Sequence, residues 1–332
     1  MDDARRPVTT RIWYPALVEP EAPRIRYFGL LDGQAQESAA PDRRGAPYPI
    51  LLFSHGNKGL NFQSISLTEA LASHGFVVVA PNHAGNTLFD NPDDSALARV
   101  ALARPGDLAF ALAEAGRMDA DASWALAGLA DAERLGVIGH SFGGFTALQL
   151  AGGSVDVNAA VARCDAGVAN DVFCDPIRFW PRNQVIRRPA GFEALKAALA
   201  LAPGGYSAFG EVGIAEIDVP TMVMGGTLDA FTGADLRPIF DALPSPALAV
   251  EIAGLGHMGF TDICRLPIAA TIPDLAELCD PAVFLDVNRG FEIINPLVIA
   301  FLRKHVAGEA SGDAFLSAEY SATVPEVTFS AR

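Results

Sequence analysis

The run Arg134-Leu-Gly-Val-Ile-Gly-His-Ser-Phe-Gly-Gly-Phe-Thr-Ala-Leu-Gln-Leu150 constrains the chain more than any other stretch. Leu135, Val137 and Ile138 read as a short buried strand. Phe142, Phe145, Leu148 and Leu150, with the alanine between them, read as a helix. Only Gly139-His-Ser-Phe-Gly143 separates the two, so the backbone must turn sharply at Ser141. Gly139 and Gly143 stand where a Cβ would clash, and Gly144 lets the helix lie close to the sheet. The pattern Gly-x-Ser-x-Gly on a strand–turn–helix is that of an exposed nucleophilic serine. The helix N-terminus behind it offers free N–H groups to developing negative charge.

Elements on either side extend this unit. Val8–Tyr14 alternates and ends at Pro15, and Arg24–Phe28 reads as a second short strand. Tyr48–Ser54 is a buried strand, Gln63–His74 an amphipathic helix stopped by Gly75, and Phe76–Ala80 a continuous apolar strand. Ser95–Ala103 and Pro105–Arg117 read as two helices, and Val157–Arg163 as the strand after the serine unit. Thr221–Met224 and Ala249–Ile252 read as strands flanking the helix Leu236–Leu243. Asn295–His305 is the last helix, with a kinked helix from Phe291 as the alternative. Alternating strands and helices predict an α/β fold with a mostly parallel, doubly wound sheet. Residues 1–332 form one domain on this reading. Residues 166–218, broken by prolines, rich in scattered aromatics and helical over Phe192–Leu201, are expected to be a cap insertion over the site.

The 332 residues carry a net charge of −15, which disfavours nucleic acid and anionic membrane surfaces as partners. No apolar run approaches the ~20 residues of a membrane span. Met1–Pro7 is polar and does not look like a leader, although a mature chain would look the same. Cys164 and Cys174 lie ten apart, and Cys264 and Cys279 fifteen apart. Local disulfides at those spacings would imply a secreted or periplasmic chain, whereas four free thiols would suit the cytoplasm. No cysteine spacing resembles a zinc site, and neither metal nor organic cofactor is expected.

A serine hydroxyl needs a base within hydrogen-bond reach and a carboxylate to orient that base. His257, in Gly254-Leu-Gly-His-Met-Gly259 after a strand, is the best base, with His83 as runner-up. Of the others, His140 would point into the fold, His55 would brace the loop at Gly56, and His74 and His305 would end helices. Asp229, directly after Thr221–Met224, suits the orienting acid in the order Ser, Asp, His. Asp165, 24 residues past Ser141, is its rival. Two backbone N–H groups must receive the oxyanion, and those of Phe142 and Asn57 are placed to do so.

Three segments together carry a family resemblance: Leu52-Phe-Ser-His-Gly56, Leu71–Ala80 and Gly139–Gly144. They resemble the platelet-activating-factor acetylhydrolase and dienelactone-hydrolase-like branch of the α/β-hydrolases, as do Arg11–Ala16 and Gly256–Asp262. Pro220–Asp229 and Phe240–Ser245 are similar to bacterial cutinase-like polyester hydrolases. The resemblance implies a serine esterase whose oxyanion donors are Asn57 and Phe142. Its acid would be Asp165 after the first group and Asp229 after the second. The expected activity is hydrolysis of small-molecule or polymeric esters through an acyl-enzyme. An acyltransferase or peptidase would use the same constellation, and a non-catalytic binding protein on this fold is the alternative of a different class.

Overall fold

Neighbouring residues of the strand Tyr48–Ser54 enter opposite cores. Ile50 and Leu52 join one cluster of buried side chains, and Leu51 and Phe53 join the other. The same period-two division runs through Val77–Ala80 and Ala197–Leu201, as a sheet covered on both faces requires. The computed structural model describes residues 7–167 and 172–332. Its main sheet has eight strands: β1 (Thr10–Trp13), β2 (Tyr48–Ser54), β3 (Val77–Pro81), β4 (Ala130–His140), β5 (Leu195–Leu201), β6 (Thr221–Gly226), β7 (Ala247–Ile252) and β8 (Val327–Ala331). They lie in the order β1-β3-β2-β4-β5-β6-β7-β8. The centre is parallel, and β1 and β8 run antiparallel at the two edges.

Helices α1 (Ile65–Ser73), α2 (Asp94–Ala120), α3 (Phe142–Leu150), α4 (Val157–Asp165), α5 (Tyr206–Ala215), α6 (Gly233–Ala242) and α7 (Val287–Leu302) cover both faces. Leu108 of α2, Phe145 of α3, Val161 of α4, Phe209 of α5 and Ile239 of α6 fill one core. Leu67 and Leu71 of α1 and Leu297, Val298 and Phe301 of α7 fill the other. Ser54 is in register with Gly139, His140 with Leu201, Leu201 with Met224, and Gly226 with Ile252. These pairings bring the carboxyl ends of five parallel strands to one edge, where ligands of open α/β sheets sit.

Several expectations are corrected. Phe192–Leu201 is not helical, because Leu195–Leu201 is a central strand buried on both faces. Its leucines and alanines favour a helix locally, but small side chains here let α3 approach until a Cβ on Gly144 would sit 3.3 Å from Leu201 O. Val157–Arg163 is helix rather than strand, begun by Asp156, whose carboxylate accepts from Ala159 N at 3.0 Å. The two helices read over 95–117 are one, running through Pro105, with the adjacent Arg104 and Asp107 both buried. Helix α7 starts at Val287, capped by Asp286, four residues before even the longer alternative from Phe291, and Pro296 lies inside it. Strand β8 lies beyond it, where the sequence reading places no element.

The cap over 166–218 is also revised. Strand β5 and helix α5 belong to the main layers, and Phe173, Trp180 and Phe209 are buried around Phe145. Phe173, Trp180 and Phe209 thus fill the core rather than roof the site, and Phe179 is exposed. Residues 168–171 of the span, and 1–6 of the polar N-terminus, lie outside the described residues. Both local disulfides are formed, Cys164–Cys174 and Cys264–Cys279.

Candidate active site

Ser141 sits at the exit of β4 with φ 55° and ψ −117°, a left-handed backbone that a serine adopts only where its surroundings impose it. Its N–H is tied to Leu201 O at 2.8 Å. A Cβ on Gly139 would fall 1.9 Å from Gly143 O, and one on Gly143 would fall 1.9 Å from Ser54 O. Both are backbone contacts that no side-chain rotation relieves. The turn therefore presses α3 against β4 and the end of β2. The amide of Phe142 stands in the first turn of α3, where no intrahelical acceptor exists.

His257 follows β7 through a turn at Gly254 with φ +75°. Its Nδ1 donates to Asp229 Oδ2 at 2.8 Å, and both side chains are nearly sealed from solvent. Asp229 Oδ1 also accepts from the amides of Phe231 at 2.8 Å and Thr232 at 3.0 Å, and Oδ2 lies 2.8 Å from Thr232 Oγ1. Burial alone would raise this carboxyl, but the His257 hydrogen bond and charge, with the Thr232 amide and hydroxyl, hold it down to about 2. It is an anion at neutral pH. With Nδ1 carrying the proton, the lone pair of His257 is on Nε2. The Phe231 ring packs 5.2 Å from the imidazole. Thr232 was not anticipated, although a threonine three residues past an aspartate at a strand exit is a recognisable turn signal.

Asp165 ends α4, is exposed, and pairs with Arg178 at 3.3 Å. This rival to Asp229 does not meet the imidazole, because the segment before it is a helix whose exposed end carries it to Arg178. His83 is fully buried between Ser54 Oγ at 2.9 Å and Asp107 Oδ2 at 3.0 Å. This second Ser-His-Asp chain is enclosed in the core and lines no part of the cleft. His55, as expected, braces Gly56, with Nδ1 donating to Gly56 O at 2.8 Å.

His140 is buried and held neutral, down to about 3, by burial and by the neighbouring His257. Its Nε2 donates to His257 O at 3.1 Å, and its Nδ1 accepts from Gln63 Nε2 at 3.0 Å. Gln63 Oε1 accepts in turn from Gly56 N at 3.0 Å. One relay of hydrogen bonds thus links the loop after β2 to the loop carrying His257. In sequence Gln63 reads only as the start of an amphipathic helix, and no local pattern marks it for this role.

An apolar cleft of about 140 Å³ opens beside Ser141 and His257. Its walls include Tyr27, Phe28, Leu60, Phe62, Met258 and Ile263, and Asn57 also faces it. Among the described residues, none of those lining it comes from 166–218. Tyr27 is fixed by Trp13 Nε1, which donates to its hydroxyl at 2.9 Å, and by its own donation to Glu69 at 2.8 Å. No hydrogen bond joins the Ser141 and His257 side chains among the described residues. The described residues include no group of carboxylates, histidines and thiols able to hold a metal ion.

The family model for chlorophyllase matches residues 37–169. Similar curated proteins include cutinase est2 of Thermobifida alba, 29% identical over 70% of this chain and 60% of the relative. Cutinase est1 of the same organism is 28% identical over 61% and 50%, and cutinase 2 of Thermobifida cellulosilytica is 27% identical over 70% and 69%. The chain thus covers 60% and 50% of the first two relatives' lengths. Its sheet order, its strand–serine–helix turn and these similarities give the chain an α/β-hydrolase fold with a resemblance to cutinases.

Proposed function

We propose that this protein is a carboxylic-ester hydrolase working through an acyl-enzyme, with Ser141, His257 and Asp229 as its triad. The observation that carries the reading is the buried 2.8 Å bond from His257 Nδ1 to Asp229, beside a serine in a left-handed turn that shares one cleft with the imidazole. Ser141 Oγ attacks the ester carbonyl while His257 Nε2 takes its proton. The resulting oxyanion accepts from the N–H groups of Asn57 and Phe142. Collapse breaks the bond to the alkoxy group, which leaves as alcohol with the proton returned by His257. Water, deprotonated by the same imidazole, then attacks the acyl-enzyme and releases the acid. The hydrogen bond from Ser141 Oγ to His257 Nε2 that this step requires forms when substrate arrives.

The small apolar cleft supports short- to medium-chain acyl groups, and the similarity to proteins named cutinases supports polymeric or lipid-like esters among the substrates. Two disulfides support an oxidising compartment outside the cytoplasm. The test is hydrolysis of p-nitrophenyl esters from acetyl to dodecanoyl by wild type and Ser141→Ala. We expect the highest kcat/KM on the short acyl chains and a loss on the order of 10³-fold or more in the variant. If no ester is cleaved and a fluorophosphonate fails to label Ser141, the reading is wrong.

A further inference from the structure

We propose that Arg104 is the positioning residue of the oxyanion site: one buried guanidinium turns the Asn57 amide toward the cleft and seats Phe142 beside it. This rests on the ester-hydrolase reading above. Arg104 lies inside α2 and is fully buried. Its Nη1 donates to His55 O at 2.5 Å, and its Nη2 to Gly56 O at 3.1 Å and to Asn86 Oδ1 at 2.5 Å. Its Cζ lies over the Phe142 ring, 4.2 Å from the centroid.

A trans peptide sends its N–H opposite to its C=O. Gly56 O is held inward by Arg104 and by His55 Nδ1, so the N–H of the same peptide unit, that of Asn57, is directed the other way. The preceding unit shows the rule at work. His55 O is held by Arg104, and the opposite N–H, that of Gly56, is found on Gln63, a residue of the cleft wall. Asn86 completes the clamp, with Oδ1 on Arg104 and Nδ2 donating to Asn57 Oδ1 at 2.6 Å. The Asn57 side-chain oxygen is thereby committed, and its main-chain N–H is the group turned toward substrate. Arginine suits this role because its planar fork gives donors in fixed directions and a face that stacks on an aromatic ring. Lysine supplies the charge but neither the second fixed donor nor the face.

The test compares full-length wild type, Arg104→Lys and the milder Asn86→Ala. Three things are measured: kcat and KM on p-nitrophenyl butyrate per folded molecule, affinity for a trifluoromethyl ketone that adds to Ser141 as a tetrahedral adduct, and amide hydrogen exchange. The expected result for Arg104→Lys is a kcat lower by roughly 30- to 300-fold with KM within about threefold, since a misaligned donor is felt in the transition state. Affinity for the ketone should fall in parallel. Exchange should quicken in peptides spanning 54–61 and not in those spanning 221–226. Asn86→Ala should shift all three readouts the same way by a smaller factor, which keeps the idea testable if Arg104→Lys fails to fold. A kcat within about threefold of wild type in a folded variant overturns the proposal. So does a loss that only tracks the unfolded fraction, or unchanged exchange at 54–61. If wild type cleaves no ester while the variants loosen 54–61 alone, the hydrolase reading fails and the clamp on the loop stands.

Discussion

Asp229 carries more of the site's electrostatics than its place in a surface-type loop suggests. Four hydrogen bonds converge on its two oxygens, and it is anionic because those donors outweigh its burial. Its folded value of about 2 lies below the ~3.9 of an exposed aspartate, so the folded state binds this proton more weakly than the unfolded state. The stabilisation is therefore complete above about pH 4 and is lost as pH falls toward 2, a contribution of roughly 2 kcal/mol. Asp229→Asn should cost kcat/KM on the order of 10³- to 10⁴-fold, because an amide no longer holds the imidazole in the Nδ1–H tautomer. In thermal melts, the difference in Tm between this variant and wild type should shrink as pH is lowered from 4 to 2. A gap that widens instead would contradict the assignment. Asp165→Ala, which removes an exposed partner of Arg178, should leave kcat/KM within about twofold.

The strand–serine–helix unit is a close steric fit as an element. Gly139 and Gly143 each meet backbone oxygen at 1.9 Å from an added Cβ, whereas Gly144 meets Pro203 Cα only at 3.0 Å. Gly143→Ala should therefore lower unfolding stability by about 3 kcal/mol or more, beyond ordinary overpacking, and Gly144→Ala by about 1 kcal/mol. Urea unfolding midpoints of the two variants would show this order, and comparable midpoints would argue against the packing described. The sharpness of the turn was legible because glycine at both flanks has one steric meaning. The identities of Leu195–Leu201 and Val157–Asp165 were less legible. The first trades local helix propensity for a slot between β4 and β6. The second depends on the capping carboxylate of Asp156, which the β-branched valines obscured.

Over the whole molecule, the cleft is assembled from pieces remote in sequence. Tyr27 and Phe28 come from an N-terminal hairpin, Phe62 from the segment before α1, and Met258 to Leu266 from the segment after His257. The last of these leads directly into the loop closed by Cys264–Cys279. Removing that bridge with Cys264→Ser/Cys279→Ser should cost about 3 kcal/mol, from the loop-closure entropy of a 15-residue separation. It should also raise KM, because Ile263 and Leu266 lose their tether. Denaturant melts and ester kinetics on the double variant check both effects, and an unchanged KM would remove this loop from the substrate wall.

What the amino-acid order determined by itself is the chemistry that is local along the chain. A glycine-flanked serine between strand and helix, an aspartate and a histidine each just past a strand, and the period-two and period-3.6 patterns around them can all be read from neighbours. Tertiary structure alone decided which residues meet. It placed Asp229 rather than Asp165 beside His257, because a helix carries Asp165 to the surface while the register of β6 with β7 brings Asp229 to His257. It made Arg104, Asn86 and Gln63 into supports of the site, and among the described residues it built the cleft wall from the N-terminal hairpin rather than from 166–218. These outcomes depend on contacts between segments tens to hundreds of residues apart. Such contacts leave no periodic trace in a single sequence, because each partner's local pattern is set by its own strand or helix.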